Sequence, residues 1–582
     1  MKHQIETLLA AAVADLPGLK GTPPAPVIER ARDAQHGDYA SNIAMQLAKP
    51  LRRKPREIAE DLITRIPDSP LLAGVEIAGP GFINFRLSPD AFHQELARVI
   101  DDGQAYGCSN LGQGERVLVE FVSANPTGPL HVGHGRHAAY GACVANLLAA
   151  TGHEVQREYY VNDAGRQMDI LALSLWLRMQ DLRGTTLPFP GGGYRGDYLV
   201  EIARDAVADA HARGLLPKPA DWAKGAPPDA PDGDADAHLD ALIENLRERL
   251  GVDGFREVLG IGLQSILDDI RQDLGEFGVA YDNFFSERSL VESGAVADAL
   301  ERVKASGHTY IQGGATWFRA TDFGDEKDRV VVRDNGSTTY FASDIAYHLQ
   351  KRGRGYSRLV DILGADHHGY IARVRAGLAA TGEPPECLEV DLVQFVVLYR
   401  GKDKVQMSTR SGQFITLREL REEVGDDAAR LFFVSRSNEQ HLDFDLELAK
   451  SRTNENPVYY IQYAHARICS VMRAADTQGI QWNEARGKQS LATLTESHEL
   501  KLMQALVRYP EMVELAARQR APQHIVHYLR DLANDLHAYY NAHRFIVDDE
   551  ALRDARLLLI LATRQVLRNG LGLLGVSSPD SM

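Results

Sequence analysis

Residues 116–136 read R-V-L-V-E-F-V-S-A-N-P-T-G-P-L-H-V-G-H-G-R. The opening run is dense in β-branched residues and predicts a strand. N-P-T-G-P is a turn signal, because proline and glycine fix backbone geometry that a strand cannot use. From His131 an alanine- and leucine-rich stretch runs to Ala150 and stops at Thr151-Gly152, which predicts a helix. Residues 154–161 (EVQREYYV) are strand-like again. Strand, loop, helix and strand make a βαβ unit, with the loop at the carboxyl end of its first strand. Open α/β sheets bind ligands at that edge.

Outward from this unit the chain changes character. Residues 1–110 predict a small α+β domain: helical spacing over 26–66, a hairpin over 74–87 (GVEIAGPGFINFRL) and a helix over 94–100. Residues 217–236 are rich in proline, aspartate and glycine and read as a solvated loop. Residues 359–363 and 392–399 look like strands of a second βα half, so an insertion over about 170–335 splits the sheet. After about 440 strand patterns stop. Residues 459–472, 500–519, 524–543 and 551–574 show helical apolar spacing. The expectation is a multidomain α/β chain: an α+β domain over 1–110, a Rossmann-like parallel-sheet catalytic domain over 111–440, and an all-α bundle over 441–582.

The 582 residues carry 64 Lys+Arg against 80 Asp+Glu, a net charge of −16. That balance disfavours a nonspecific nucleic-acid coat, which needs clustered cations. The charge is uneven: residues 457–582 hold 14 Lys+Arg and 13 Asp+Glu, net +1, so the remainder carries −17. Cys108, Cys143, Cys387 and Cys469 are widely separated and form no C-x-x-C pair, so no structural zinc or disulfide framework is expected. No stretch of 18 apolar residues occurs. A cytoplasmic protein without a membrane segment is the expectation.

His131 and His134 lie three apart at a helix start, where free N–H groups and the helix dipole attract phosphate. Gly133 allows a flat ring to approach, and Asn125, Pro126, Thr127 and Gly128 tighten the preceding loop. ATP fits such a site. Helix-spaced histidines also serve structurally, or as metal ligands together with Asp366, His367 or His368. Later, 399–412 (YRGKDKVQMSTRSG) is a polar loop with Lys402, Lys404, Ser408 and Arg410, suited to charge developing on a leaving pyrophosphate. Alone, it reads equally as a solvated hairpin.

Together these two loops resemble the signature pair of class I aminoacyl-tRNA synthetases. VEFVSANPTGPLHVGHGR, YYVNDAGRQ, YFASDIAYH, ILGADHHGY and MSTRSGQFITL are similar to the bacterial arginyl-tRNA synthetase family, over nearly the whole chain. Where the family often has K-M-S-K-S, this chain has Gln406, Met407, Ser408, Thr409 and Arg410. Both lysines of that motif are absent, and Lys402, Lys404 and Arg410 are the cations at hand. The resemblance implies ATP as substrate, Mg²⁺ carried with it, L-arginine and tRNA(Arg) as partners, and a monomer.

A guanidinium carries five donors and a permanent charge, so its pocket needs carboxylates. By resemblance, Glu120, Ser123, Asn125, Tyr340, Asp344 and His368 hold arginine. Asn125, Pro126, Thr127, Gly128, His131, Gly133, His134, Asp366, His367, Met407 and Ser408 hold ATP. His131, His134, Lys402, Lys404, Ser408 and Arg410 act in catalysis. Tyr340 and Asp344 share a helix face if a helix begins there. Tyr459, Tyr463, Arg467 and Tyr540 suit an RNA-reading bundle, since aromatics stack on bases and arginines meet phosphates. Asp427-Ala428-Ala429-Arg430 resembles the D-A-L-R pattern of anticodon-binding domains. The rival functions are a nucleotidyltransferase that activates a small acid without RNA, and a metal-dependent phosphohydrolase.

Overall fold

In the computed structural model the described residues are 1–582 except 20, 32, 220 and 406–414. A five-stranded parallel sheet forms the centre. Its strands are β1 (Arg116–Glu120), β2 (Glu154–Val161), β3 (Asn283–Ser286), β4 (Arg358–Gly364) and β5 (Leu388–Val393), in the order β5-β4-β1-β2-β3. The chain steps outward from β1 to β3 and then returns to the other side of β1. Strand order therefore reverses between β1 and β4, and their carboxyl ends border the ligand crevice of a doubly wound sheet.

Five helices position the site: α1 (Val132–Ala150), α2 (Arg166–Leu182), α3 (Tyr340–Gly353), α4 (Tyr370–Ala380) and α5 (Leu417–Val424). α1 links β1 to β2 and is buried almost all round, from Val132 to Leu148. Its alanines and glycines permit this close packing: a Cβ at Gly141 would stand 2.3 Å from the Phe121 ring.

Several expectations need correction. Ile28–Arg30 and Tyr39–Ser41 are strands inside the stretch 26–66 expected to be helical. Asn283–Ser286, placed within the insertion by the sequence reading, is the edge strand of the central sheet. Strands do not stop at 440, since Leu442–Asp445 pairs parallel with Val396–Arg400. Residues 392–399 do not form one strand; β5 ends at Val393, and Val396 starts a strand of a different sheet. Buried Arg136 donates to the Gln394 carbonyl in that break (2.7 Å).

The first 87 residues include a four-stranded antiparallel sheet and helices Lys2–Ala14, Ile43–Leu51 and Pro55–Ile63 around their own core. The expected hairpin is present as Leu72–Ala78 against Phe82–Leu87. Residues 217–219 and 221–234 are loop, but a packed one: Trp222 is buried against Trp176 of α2, with ring centroids 6.1 Å apart. Helices Pro457–Thr477, Ser497–Val507, Tyr509–Gln519, Gln523–Ala542 and Glu550–Leu573 form the C-terminal bundle. Pro510 divides the expected 500–519 helix into two. Among the described residues no helix is long and apolar enough to cross a membrane.

Candidate active site

The chain leaves β1 under strain. Val122 and Ser123 have φ of 68° and 41°, in the left-handed region that a β-branched residue rarely enters. Side-chain bonds hold the turn. Ser123 Oγ donates to Glu120 Oε1 and accepts from the Tyr160 N–H, both at 3.0 Å. Tyr281 and Tyr159 hydroxyls donate to the carbonyls of Phe121 and Ala124. Asn125 stays exposed, with its Oδ1 accepting from Asn162 Nδ2 (3.0 Å), while Pro126 is buried. Tyr198 donates to the Thr127 carbonyl, and its ring lies 3.4 Å from where a Cβ of Gly128 would be.

His131 caps α1. Its Nδ1 accepts from the N–H groups of Gly133 (3.0 Å) and His134 (3.4 Å), while His134 Nδ1 accepts from the His131 N–H (3.3 Å). The rings stack with centroids 3.6 Å apart. A capping nitrogen must be an acceptor, so each neutral imidazole carries its proton on Nε2. Burial pushes both below the ordinary histidine range, His134 furthest, with the His131 ring adding to its shift. Both imidazoles at this helix N-terminus are thus neutral, with the proton on Nε2. A Cβ on Gly133 would come within 2.9 Å of the His131 ring, so the glycine makes room for the cap itself.

The loop after β4 meets α1 one turn further on. His137, which the sequence reading missed, is pushed down to about 4, first by burial and then by the charges of His131 and Arg136. A Cβ on Gly364 would lie 3.8 Å from its ring and 2.5 Å from Asp366 Oδ1. Asp366, His367 and His368 are exposed on this turn. His137 extends the His131, His134 spacing by another three residues, and that periodicity was its available signal.

α3 begins at Tyr340, so Tyr340 and Asp344 occupy its first two turns. Tyr340 is 61% exposed, and its hydroxyl would be 3.2 Å from a Cβ at Gly165. Asp344 is half-buried, and its carboxyl is raised to about 6. Burial is the main cause; Glu120 adds to it, while His348, Arg373 and a Tyr370 hydrogen bond oppose it. Glu120 is 6% exposed and bound to fully buried Lys351 Nζ (2.6 Å). The cation that a buried carboxylate requires is therefore present.

Glu287, just beyond β3, was also missed. It is 5% exposed, and its Oε2 has no hydrogen-bond partner. Burial, then the charges of Asp344 and Asp163, raise it to about 7. Neither Glu287 nor Asp344 forms a salt bridge among the described residues. The missed signal was an acidic residue at a strand's carboxyl end, the same placement as Asp163 and Asp366.

The second signature loop is described only at its flanks. Lys402 and Lys404 are exposed where Val396–Arg400 turns into Asp403–Lys404. Arg400 is engaged by Glu423 (2.6 and 3.0 Å) and Glu447 (3.3 Å). Met407, Ser408 and Arg410 lie outside the described residues. Beyond them, Thr416 forms a β-bridge with His131; the Val132 N–H donates to Ile415 O (3.2 Å), and the Leu417 N–H to Leu130 O (2.8 Å).

On the bundle, the Tyr459 and Tyr463 rings stack at 5.7 Å. The Arg467 guanidinium lies 4.7 Å from the Tyr463 ring centroid and 4.5 Å from that of Tyr540. All four are half-exposed and form one strip, whereas Tyr528 and Tyr539 belong to the core.

The comparisons with known proteins agree with this anatomy. Residues 3–87 match the arginyl tRNA synthetase N-terminal domain, 95–188 with 262–464 the class I (R) tRNA synthetase catalytic domain, and 461–582 the DALR anticodon binding domain. The chain is 57% identical to the arginine–tRNA ligase of Thioalkalivibrio sulfidiphilus and 54% to that of Halorhodospira halophila, covering 100% of each pair. The Thermus thermophilus arginyl-tRNA synthetase structure superposes with a TM-score of 0.75 at 25% identity, over 100% of both chains. The chain belongs to the arginyl-tRNA synthetase family of class I aminoacyl-tRNA synthetases.

Proposed function

We infer that this chain is an arginine–tRNA ligase. It couples ATP cleavage to formation of arginyl-adenylate, then transfers arginine to the terminal ribose of tRNA(Arg). One observation carries the substrate choice. Buried Glu287 is raised by the charge of half-buried Asp344, and among the described residues neither carboxylate has a salt-bridge partner, at the carboxyl edge of a doubly wound sheet. A planar, permanently charged guanidinium is the complement of that pair.

In the first step an arginine carboxylate oxygen attacks the α-phosphorus of ATP, and pyrophosphate departs with the electrons of the broken P–O bond. The nucleophile is already ionised, so the protein contributes positioning and charge stabilisation. The Nε2–H groups of His131 and His134 face the phosphate oxygens. Lys402, Lys404 and Arg410, with Ser408, follow the leaving pyrophosphate. Asp366, His367 and the turn at Asn125–Gly128 hold the nucleoside; Tyr340, Ser123, Asn125 and His368 frame the arginine. The family resemblance implies Mg²⁺ carried on the ATP phosphates. In the second step the family resemblance implies attack by the ribose 2′-hydroxyl on the adenylate carbonyl, releasing AMP. The hydroxyl proton leaves with the phosphate.

Residues 441–582 read the anticodon through Tyr459, Tyr463, Arg467 and Tyr540, and residues 1–110 contact the tRNA elbow. The four cysteines are free thiols, which suits a reducing cytoplasm, and the resemblance implies a monomer. ATP–pyrophosphate exchange tests the reading with each amino acid, with and without tRNA. Exchange confined to arginine plus tRNA is expected; exchange with another amino acid, or none with arginine, refutes it.

A further inference from the structure

Asp361, Glu120 and Glu158 sit in register on the adjacent strands β4, β1 and β2. Their carboxylates form a row on one face of the sheet, and all three are buried. The carboxyl half of α3 covers that row. Lys351 Nζ donates to Glu120 Oε2 (2.6 Å) and Asp361 Oδ1 (2.8 Å). Arg354 grips Glu158 with both Nη groups (2.5 and 2.7 Å), and the Tyr347 hydroxyl adds a third bond (2.9 Å). His348 Nε2 meets Asp361 Oδ2 (2.8 Å), and its Nδ1 donates to the Asp344 carbonyl (2.7 Å). Both ring nitrogens thus lie against oxygens of the chain.

A buried ionic row is not a strong source of stability, because desolvation offsets the attraction. It is selective about geometry, since a helix rotated by one residue would leave buried charges unpaired. The helix keyed this way presents Tyr340 and Asp344 at its other end. Lys351 joins the two parts directly: it holds Glu120 on one side and, through Asp361 and His348, the Asp344 backbone on the other.

We propose that Lys351 is a positioning residue for arginine recognition, setting Glu120 and the rotation of α3 without touching the substrate. The proposal rests on the arginine-pocket reading of Asp344. Its test is steady-state aminoacylation by the full-length protein, varying arginine, ATP and tRNA separately. Lys351→Met leaves buried Glu120 without its cation and Asp361 with His348 alone, and can prevent folding. The charge-balanced pair Lys351→Met/Asp361→Asn keeps the variant measurable, and Asp344→Asn reports on the pocket itself. For both the double variant and Asp344→Asn, the arginine KM should rise about tenfold or more, with ATP and tRNA KM within about twofold of wild type. A double variant with wild-type arginine KM, beside an impaired Asp344→Asn, overturns the proposal and leaves the pocket standing. Equal increases in all three KM values reduce Lys351 to a structural residue and also overturn it. An unaffected Asp344→Asn removes the pocket reading, and the proposal with it.

Discussion

Arginine binding should be steeply pH-dependent in a range where free arginine does not titrate. Asp344 and Glu287 are raised to about 6 and about 7, chiefly by burial. A guanidinium needs both carboxylates ionised, so affinity must rise as pH climbs through these values. Treated as independent, both groups are ionised in about three-quarters of molecules at pH 7.5 but in roughly 1 in 140 at pH 5.5. Arginine affinity should therefore strengthen about 100-fold between those pH values, close to 3 kcal/mol. The two groups interact, so the observed steps belong to the pair.

Stability follows with the opposite sign in the empty protein. A carboxyl whose folded pKa exceeds its unfolded value binds more protons when native, so stability falls as pH rises through that interval. The shifts, from 3.8 to about 6 and from 4.5 to about 7, are each worth about 3 kcal/mol. Arginine returns part of this above pH 7, so its stabilisation of the protein should grow over pH 5.5–7.5. Isothermal calorimetry at several pH values, repeated in buffers of different ionisation enthalpy, measures both affinity and protons released. Release of about one proton near pH 6.5 is expected. Glu287→Gln should remove the upper step and leave less than about tenfold of pH dependence. A wild-type affinity that is flat over pH 5.5–7.5, with no proton release, would refute the reasoning.

The histidine pair yields a separable test. His131→Asn preserves an N-cap acceptor but removes the Nε2–H donor, so turnover should fall about 100-fold while stability changes by less than about 1 kcal/mol; His131→Ala should lose both, as thermal denaturation beside aminoacylation will show. Thr416 caps α5 through a capping box with Glu419. Thr416→Ala should cost about 1 kcal/mol and raise the KM for ATP more than that for arginine; steady-state kinetics showing equal or no change in the two KM values would separate this cap from ATP binding. Arg467→Ala should weaken tRNA binding by about 1–2 kcal/mol and flatten its salt dependence, with arginine KM unchanged. A filter-binding salt titration indistinguishable from wild type would remove the Tyr459–Tyr540 strip from the RNA interface.

What the sequence disclosed was local, and what it hid was distant. The strand, turn and helix of 116–150 are encoded by neighbours in the chain, as are the 72–87 hairpin and the C-terminal helices. β3 has four residues, N-F-F-S, too few for a period to register, and its partner β2 lies more than 120 residues away. Its misplacement in the insertion concealed Glu287, because a carboxylate following a strand draws notice only when the strand is recognised. Glu120 posed the question of a buried cation, but its answer, Lys351, is 231 residues further on. Tyr340 and Asp344 were legible as a helical pair, whereas the charges behind them exist only once α3 lies across three strands.

The bridge between His131 and Thr416 bears on how a chain lacking the two signature lysines handles a triphosphate. His131 is the N-cap of α1 and Thr416 the N-cap of α5, and the two are β-bridge partners. Two helix N-termini, each the positive end of a dipole, are thus brought side by side, with most of their first N–H groups taken up by the caps and by the bridge itself. A helix N-terminus stabilises an adjacent anion by roughly 0.3–1 kcal/mol when exposed and up to about 2 kcal/mol when partly buried. The paired dipoles add to the positive field here, which the Glu419 carboxylate in the α5 cap partly offsets. They do so without ordering a long side chain, and with two neutral imidazoles that donate but add no cation of their own. Lysines in the second loop would supplement that field. The bridged flanks at 130–132 and 415–417 hold both helix ends together whichever residues the loop between carries.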